Sequence, residues 1–175
     1  MSILETRPFR WPDEAACERF AQALAACPQI GDLSIELDGG LGAGKTSLVR
    51  HLLRALGVTG RIKSPSYAVV EDYVPPRLNG LPAHHFDFYR FSDPREWEDA
   101  GFRDTFAAPG LKLSEWPDKA AGMLPPPDLR LAIEVNADDS RDVRAQAHTP
   151  QGQALLAELA RRLASQPGRP DGQPD

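Results

Sequence analysis

The chain has 175 residues, of which 41% are hydrophobic and 26% are charged, and its formal net charge at pH 7 is −5. This size and composition are typical of one globular domain with its own hydrophobic core. A protein that binds nucleic acid alone usually has a basic surface, so this acidic balance favours contact with RNA through a partner. No apolar run approaches about 18 residues, which argues against a membrane-spanning helix. The polar residues 1–14 lack the apolar core of a signal peptide, so we expect a cytoplasmic location.

The two cysteines, Cys17 and Cys27, flank most of one predicted helix. This placement separates their side chains beyond disulfide reach. Neither cysteine has a metal-ligand spacing or a histidine close by in the sequence. We therefore expect two reduced thiols that behave as small apolar side chains.

Hydrophobic periodicity predicts a helix–strand–helix order in the first third of the chain. A helix is expected over residues 12–26, with Pro12 as its first residue. A short strand over 33–37 follows, and then an amphipathic helix from Lys45 to about Leu56.

Beyond residue 64 the pattern is mainly that of short strands. A short helix begins near Pro94, and Thr149 is expected to cap a helix that ends near residue 164. The remaining strands are predicted at 67–73, 84–89, 111–114, 129–135 and 143–147.

A glycine-rich segment gives the strongest functional signal. Residues 39–46, GGLGAGKT, match the phosphate-binding loop (P-loop) pattern G-x-x-x-x-G-K-[ST] between a strand and a helix. Glycines let the backbone amides wrap a phosphate, and the helix N-terminus points further amides at the anion. We expect Lys45 to reach the outer phosphates of ATP and the Thr46 hydroxyl to bind Mg²⁺. The residues expected to hold the nucleotide are Gly40, Leu41, Gly42, Ala43, Gly44, Lys45, Thr46 and Ser47.

Two carboxylates at predicted strand ends are candidates to complete the site. A P-loop protein needs a carboxylate for the magnesium shell and often another to position water. Asp87 and Glu115 have suitable positions, although either could instead cap a turn. The adjacent His84 and His85 resemble a metal-binding pair, but neighbours on a strand point to opposite faces, which favours a structural or partner-facing role.

The interleaved strands and helices predict an α/β domain with a P-loop NTPase-like, three-layer fold. We expect a mostly parallel central sheet, an antiparallel hairpin portion over 67–89, and helices on both faces. ATP is expected at the carboxyl ends of the strands. Residues 1–164 are predicted to form this domain and residues 165–175 a disordered tail rich in Pro, Gly and Gln.

Four further segments occur in a specific order and spacing: SPSY at 64–67, HFDFYR at 85–90, GFRD at 101–104 and EWP at 115–117. With the P-loop, they resemble the TsaE family (formerly YjeE), bacterial ATPases needed for synthesis of the tRNA modification threonylcarbamoyladenosine (t6A). The resemblance covers approximately residues 32–135, with fainter similarity as far as the C-terminal helix.

The resemblance implies a catalytic group of Lys45, Asp87 and Glu115. Thr46 and Glu115 would be Mg²⁺ ligands, and Asp87 would be the Walker-B-like carboxylate of the same shell. Residues 64–67 would form a switch-like loop near the γ-phosphate.

The resemblance also places three residues next to the nucleotide. Ser66 would lie at the tip of the switch-like loop, Trp116 close to the nucleotide, and Arg141 at a position that contacts it.

The chain departs from the family pattern at three places. Gly40 replaces the common Asp, which would loosen the loop or alter a contact beside the phosphates. Ser66 replaces Thr but keeps the hydroxyl, and EWE at 96–98 replaces a Glu-Glu-Leu-type run, which questions any partner contact there.

The implied function is ATP hydrolysis that drives cycles of the TsaB–TsaD complex, which transfers threonylcarbamoyl to an adenosine beside the tRNA anticodon. The protein would be a weak, partner-activated ATPase, a monomer in isolation, that meets tRNA indirectly. Two alternatives stay open: a small-molecule P-loop kinase, disfavoured because no Arg-rich lid is visible, and a nucleotide-gated binding module without significant hydrolysis. A GTPase is disfavoured because no N-K-x-D motif occurs.

Overall fold

Seven strands form a mixed sheet in the computed structural model, which describes residues 2–65 and 68–166. The strands are β1 (Glu5–Trp11), β2 (Ser34–Asp38), β3 (Val70–Tyr73), β4 (Ala83–Asp87), β5 (Leu111–Glu115), β6 (Leu129–Val135) and β7 (Arg141–Ala147). Their spatial order is β1-β7-β6-β2-β5-β4-β3. The central strands β6, β2, β5 and β4 run parallel, whereas β7 is antiparallel to both its neighbours and β3 is antiparallel to β4.

Within the described residues, five α-helices connect or flank these strands. They are α1 (Glu14–Ala26), α2 (Lys45–Ala55), α3 (Pro94–Asp99), α4 (Phe102–Ala107) and α5 (Pro150–Ser165), and short 3-10 turns lie at Pro28–Asp32, Pro76–Leu78 and Pro117–Ala120. The Asp13 carboxylate caps α1 by accepting a hydrogen bond from the Ala16 amide, and Thr149 caps α5 in the same way through Gly152. Such caps satisfy amides that have no partner within the helix.

Helices α1, α2 and α5 share the main hydrophobic core with one face of the sheet. Leu24, Leu52 and Leu156 come from these helices and are fully buried against strand residues such as Leu37 and Leu131. Burial of apolar side chains on one helix face is what the helical periodicity of these segments predicts.

A second, aromatic cluster joins α3 and α4 to the other face of β4. Phe86 follows His85 on the strand and therefore points the opposite way. Its ring lies 5.3 Å from that of Phe102 and 5.5 Å from that of Phe88, and Trp97 of α3 packs 5.6 Å from Phe102. Helices thus pack on both faces of the sheet, and the predicted α/β fold with a mostly parallel sheet is confirmed.

Some predicted element boundaries were wrong. No strand was expected before the first helix, but β1 forms the sheet edge beside β7, where Pro8 is tolerated because edge strands can lack a donor. The antiparallel part therefore extends over both sheet edges. The first helix begins at Glu14 rather than Pro12 because Asp13 is its cap. The segment near Pro94 contains two helices instead of one, separated by Gly101 with a positive φ of 71°.

Helix α5 ends at Ser165, close to the expected end near residue 164, and so includes the first residue of the segment expected to be a tail. Residues 167–175 of that segment lie outside the described residues. In the part of the chain that is described, no helix is long and apolar enough to cross a membrane.

Both cysteines are free and buried, as predicted. Burial is the main cause that raises the pKa of the Cys17 thiol to about 12 and that of Cys27 to about 11. Each thiol is therefore protonated at neutral pH unless a new partner changes its surroundings.

The tight contact at the start of α5 gives a stability prediction. A Cβ added at Gly152 would lie 1.9 Å from the carbonyl oxygen of Asp128. Helix propensity alone would make Gly152→Ala stabilising by about 1 kcal/mol. We expect the opposite, a loss of about 1–3 kcal/mol in the free energy of unfolding, because the backbone must shift. Urea unfolding measures this, with exposed Gln153→Ala in the same helix turn as the control; an unchanged or raised midpoint for Gly152→Ala would contradict it.

Candidate functional site

The glycine-rich loop connects the carboxyl end of β2 to the first turn of α2. Gly42 and Gly44 have φ angles of 77° and 106°, a region that favours glycine. A Cβ at Gly40, Gly42 or Gly44 would meet no atom within 4 Å, so this backbone borders open space. The loop therefore has room for a side chain at residue 40. Glycine-rich backbone with positive φ angles and no intruding side chains is the kind of loop whose amides can wrap a phosphate group, and we refer to residues 39–46 as the cradle.

Lys45 lies buried beneath this cradle, with 5% of its surface exposed. Its ammonium donates hydrogen bonds to the carbonyl oxygens of Gly39 and, at 3.0 Å, Gly40, and it lies 4.0 Å from the ring centre of Trp116. Burial lowers the pKa of Lys45, and nearby carboxylates oppose this shift. The amine is therefore held close to the loop by weak neutral acceptors that an anionic ligand can replace.

Two carboxylates meet at the carboxyl ends of β4 and β5, where Asp87 is the register partner of Glu115. The hydroxyl of Thr46 is 2.9 Å and 3.1 Å from the two Glu115 oxygens. Burial raises the pKa of Asp87, although a hydrogen bond from the Tyr89 amide and the charge of Lys45 act in the other direction. Hydroxyl and carboxylate oxygens are thus gathered at the first residues of α2.

A histidine that the sequence did not assign to the site holds Glu115 from the other side. His85 Nε2 lies 2.5 Å from Glu115 Oε2, and both side chains are almost fully buried. The second ring nitrogen of His85 is buried without a hydrogen-bond partner in the described part of the chain. His84, on the opposite face, instead contacts the exposed Asp72 at 2.6 Å. The spacing of His85 two residues before Asp87 is the signal that could have found it, since alternate strand residues share a face.

Aromatic and basic side chains complete the walls of a cavity of about 310 Å³. Trp116 adopts a positive φ of 55°, uncommon for a bulky residue and a frequent mark of functional sites. Its ring lies 4.9 Å from that of Tyr89. Arg141 reaches across from β7 and donates to the carbonyl oxygens of Ala43 and Gly42, both at 3.3 Å.

The structure brings most of the sequence-predicted site residues to this one cavity. Those lining it are Leu41, Gly42, Ala43, Gly44, Lys45, Thr46, Ser47, Asp87, Glu115, Trp116 and Arg141. Gly40 belongs to the same loop but does not line the cavity, and Ser66 lies outside the described residues. Sequence reasoning missed Tyr89 and also Trp11, Asp13, Glu14 and Cys17, which enter the cavity wall from the end of β1 and the start of α1.

The donor atoms fit the groups expected here. The oxygens of Thr46, Glu115 and Asp87 are hard ligands of the kind that Mg²⁺ prefers. The open loop backbone and the Lys45 ammonium suit phosphate oxygens. A phosphate-binding motif at the end of parallel strand β2, close to carboxylates at the ends of β5 and β4, is typical of a P-loop NTPase-like α/β protein.

Comparison with known proteins specifies the family. The family model described as "Threonylcarbamoyl adenosine biosynthesis protein TsaE" matches residues 11–144. The chain is 37% identical over 150 residues to the tRNA threonylcarbamoyladenosine biosynthesis protein TsaE of Haemophilus influenzae, covering 83% of this chain and 92% of the relative. It is 33% identical over 150 residues to the protein of that name from Bacillus subtilis, covering 86% and 90%. The chain therefore belongs to the TsaE family, with a role in t6A biosynthesis.

A solved structure gives the same answer for the fold. The crystal structure of YdiB from Bacillus subtilis superposes with a TM-score of 0.75 at 26% identity, and covers 92% of this chain and 98% of YdiB. The likeness extends over almost the whole of both chains, which supports the same overall fold for the two proteins.

The contact between His85 and Glu115 gives a second stability prediction. His85→Ala would leave a buried carboxylate without one of its partners, which we expect to lower the free energy of unfolding by about 2–3 kcal/mol. His84→Ala is the matched control, since its partner Asp72 is exposed and its loss should cost less than about 1 kcal/mol. Chemical denaturation of both variants tests this. If both variants lost the same free energy of unfolding, the buried contact would contribute no more to stability than the exposed one.

Proposed function

We propose that this chain binds Mg²⁺–ATP in the cavity beside the P-loop and hydrolyses it to ADP and phosphate. One observation carries the proposal: a phosphate cradle and a buried lysine lie directly next to a hydroxyl and two carboxylates. A cation site and an anion site that adjoin in this way match a metal–nucleotide complex rather than a free anion.

Each group of residues at the site has a separate role in this proposal. Loop amides and Lys45 bind phosphate oxygens, and Lys45 exchanges its carbonyl acceptors for them. Thr46 and Glu115, with Asp87 in the same shell, would hold Mg²⁺, which when bound neutralises charge on the phosphates. His85 acts through Glu115 by holding its carboxylate towards Thr46.

Slow turnover follows from the same contacts. Glu115 accepts a hydrogen bond from Thr46 and contacts His85, so of these two carboxylates only Asp87, itself assigned to the Mg²⁺ shell, could also orient a water molecule. Because one carboxylate would have both roles, isolated hydrolysis is expected to be weak. A partner protein would complete the site, as an added arginine does in other P-loop systems.

The proposed partners are the TsaB and TsaD homologues of the same cell, and the proposed role is to drive turnover of their complex in the cytoplasm. Membership of a t6A biosynthesis family supports this role. The net charge of −5 supports contact with tRNA through the complex rather than directly. In isolation the chain is proposed to be a monomer.

Removal of the lysine ammonium is the direct test. We expect Lys45→Ala to abolish ATP binding in equilibrium titration and to stop multiple-turnover t6A formation in a system reconstituted with TsaB, TsaD and tRNA. Lys119→Ala, which removes an exposed lysine that lies close to Trp116 in sequence, is the control and should keep both activities. If t6A formation continued unchanged with Lys45→Ala, the proposed energetic role would be wrong.

A non-hydrolysable analogue of ATP distinguishes a protein that must hydrolyse ATP from one that only binds its partner in a nucleotide-dependent way. We expect the analogue to bind but to support at most a single cycle of tRNA modification, because release of phosphate is needed to reset the complex. Modification over many cycles with the analogue would favour a binding module. A phosphorylated small molecule formed without free phosphate would instead favour a kinase.

A further inference from the structure

A second group of metal-ligating side chains lies at the wall of the cavity formed by the start of α1. The carboxylate of Glu14, the thiol of Cys17 and the imidazole of His51 have donor atoms that all lie within 4.8 Å of one another. His51 Nε2 is already 2.7 Å from Glu14 Oε1. None of the three belongs to the phosphate loop or the paired carboxylates.

Helix packing brings these residues together. Glu14 and Cys17 are three residues apart on α1 and so share one face of that helix. α1 packs against α2, which carries His51 six residues after Lys45. The absence of a histidine near Cys17 in the sequence was therefore a poor guide, because the histidine arrives from the neighbouring helix.

We propose that Glu14, Cys17 and His51 form a binding site for a divalent cation of the Zn²⁺ type. Nitrogen, sulfur and carboxylate oxygen are the ligands of zinc, and three protein ligands with one open position are common in its non-structural sites. Thiolate and imidazole select such an ion over Mg²⁺, which prefers oxygen. The site is thus chemically distinct from the hydroxyl–carboxylate group around Glu115.

The geometry needs little adjustment to accept the ion. Tetrahedral zinc with bonds of about 2.0–2.3 Å separates its donor atoms by roughly 3.3–3.8 Å. The Glu14 side chain is 68% exposed and can rotate away from His51 by the small distance required. Cys17 is buried, and its thiol makes no hydrogen bond to any residue that the structure describes, so it has no competing partner to lose. On binding, the thiol would release its proton to solvent.

The position of this site connects it to the main cavity. Glu14 and Cys17 line the same cavity as Lys45 and Asp87, whereas His51 does not line it, so the proposed site lies at the wall of the space where the nucleotide is proposed to bind. The inference goes beyond the proposed ATPase function and does not depend on it, because all three ligands are side chains of this chain.

The test is metal binding by the full chain without an affinity tag, without nucleotide and in excess Mg²⁺, which occupies oxygen-ligand sites. We expect calorimetric titration to find one Zn²⁺ per chain, and Co²⁺ to give the near-ultraviolet absorption band of a cobalt–thiolate bond. Cys17→Ser should remove that band, and both Cys17→Ser and His51→Gln should weaken Zn²⁺ binding by at least about tenfold.

Cys27→Ser is the matched control and should leave binding unchanged. Cys27 is equally buried, but its thiol donates to the Ala23 carbonyl at 3.3 Å, and it joins no metal-ligating group among the described residues. The proposal is overturned if Co²⁺ gives no thiolate band, or if His51→Gln and Cys17→Ser both bind Zn²⁺ as the parent chain does. Since no nucleotide is present, either result leaves the ATPase proposal standing.

Discussion

The buried carboxylate of Glu115 is the contact on which the arrangement of the site depends. It ends β5, accepts a hydrogen bond from Thr46 at the start of α2, and contacts His85 on β4. A charged group that is almost fully buried is costly unless such partners surround it. The same contacts therefore offset the cost of burying the carboxylate and align the phosphate loop with the ends of two parallel strands. Displacement of any of the three elements would separate the cradle from the carboxylates.

Two chemically different groups of metal-ligating side chains lie at or beside the main cavity. Around Glu115 the donors are oxygens, which suit a hard ion accompanying phosphates. At the other wall, Cys17 and His51 offer sulfur and nitrogen, which suit a softer ion. The buried ammonium of Lys45 lies with the first group, where its charge can assist anion binding. If both proposed sites bind metal, the different hardness of their donors means that they need not compete for one ion.

Local pattern was sufficient for the phosphate loop and for the helices that carry it. The GGLGAGKT segment requires glycine conformations and a following helix, and both are present. Asp87 and Glu115 were expected at strand ends, and the structure places them as register partners. In contrast, β1 was missed because its pattern is polar and contains Pro8, features that only an edge position beside β7 makes acceptable.

The sequence by itself was sufficient to predict the fold class, the position of the glycine-rich loop and the family. Each of these follows from residues that are close together in the chain or regularly spaced. The tertiary structure alone decided that His85 contacts Glu115, that Arg141 reaches the loop from β7, and that His51 meets Cys17. These contacts join residues from different elements, and strand order and helix packing set their distances. The number of residues between two positions in the sequence does not reveal the distance between them in the folded chain.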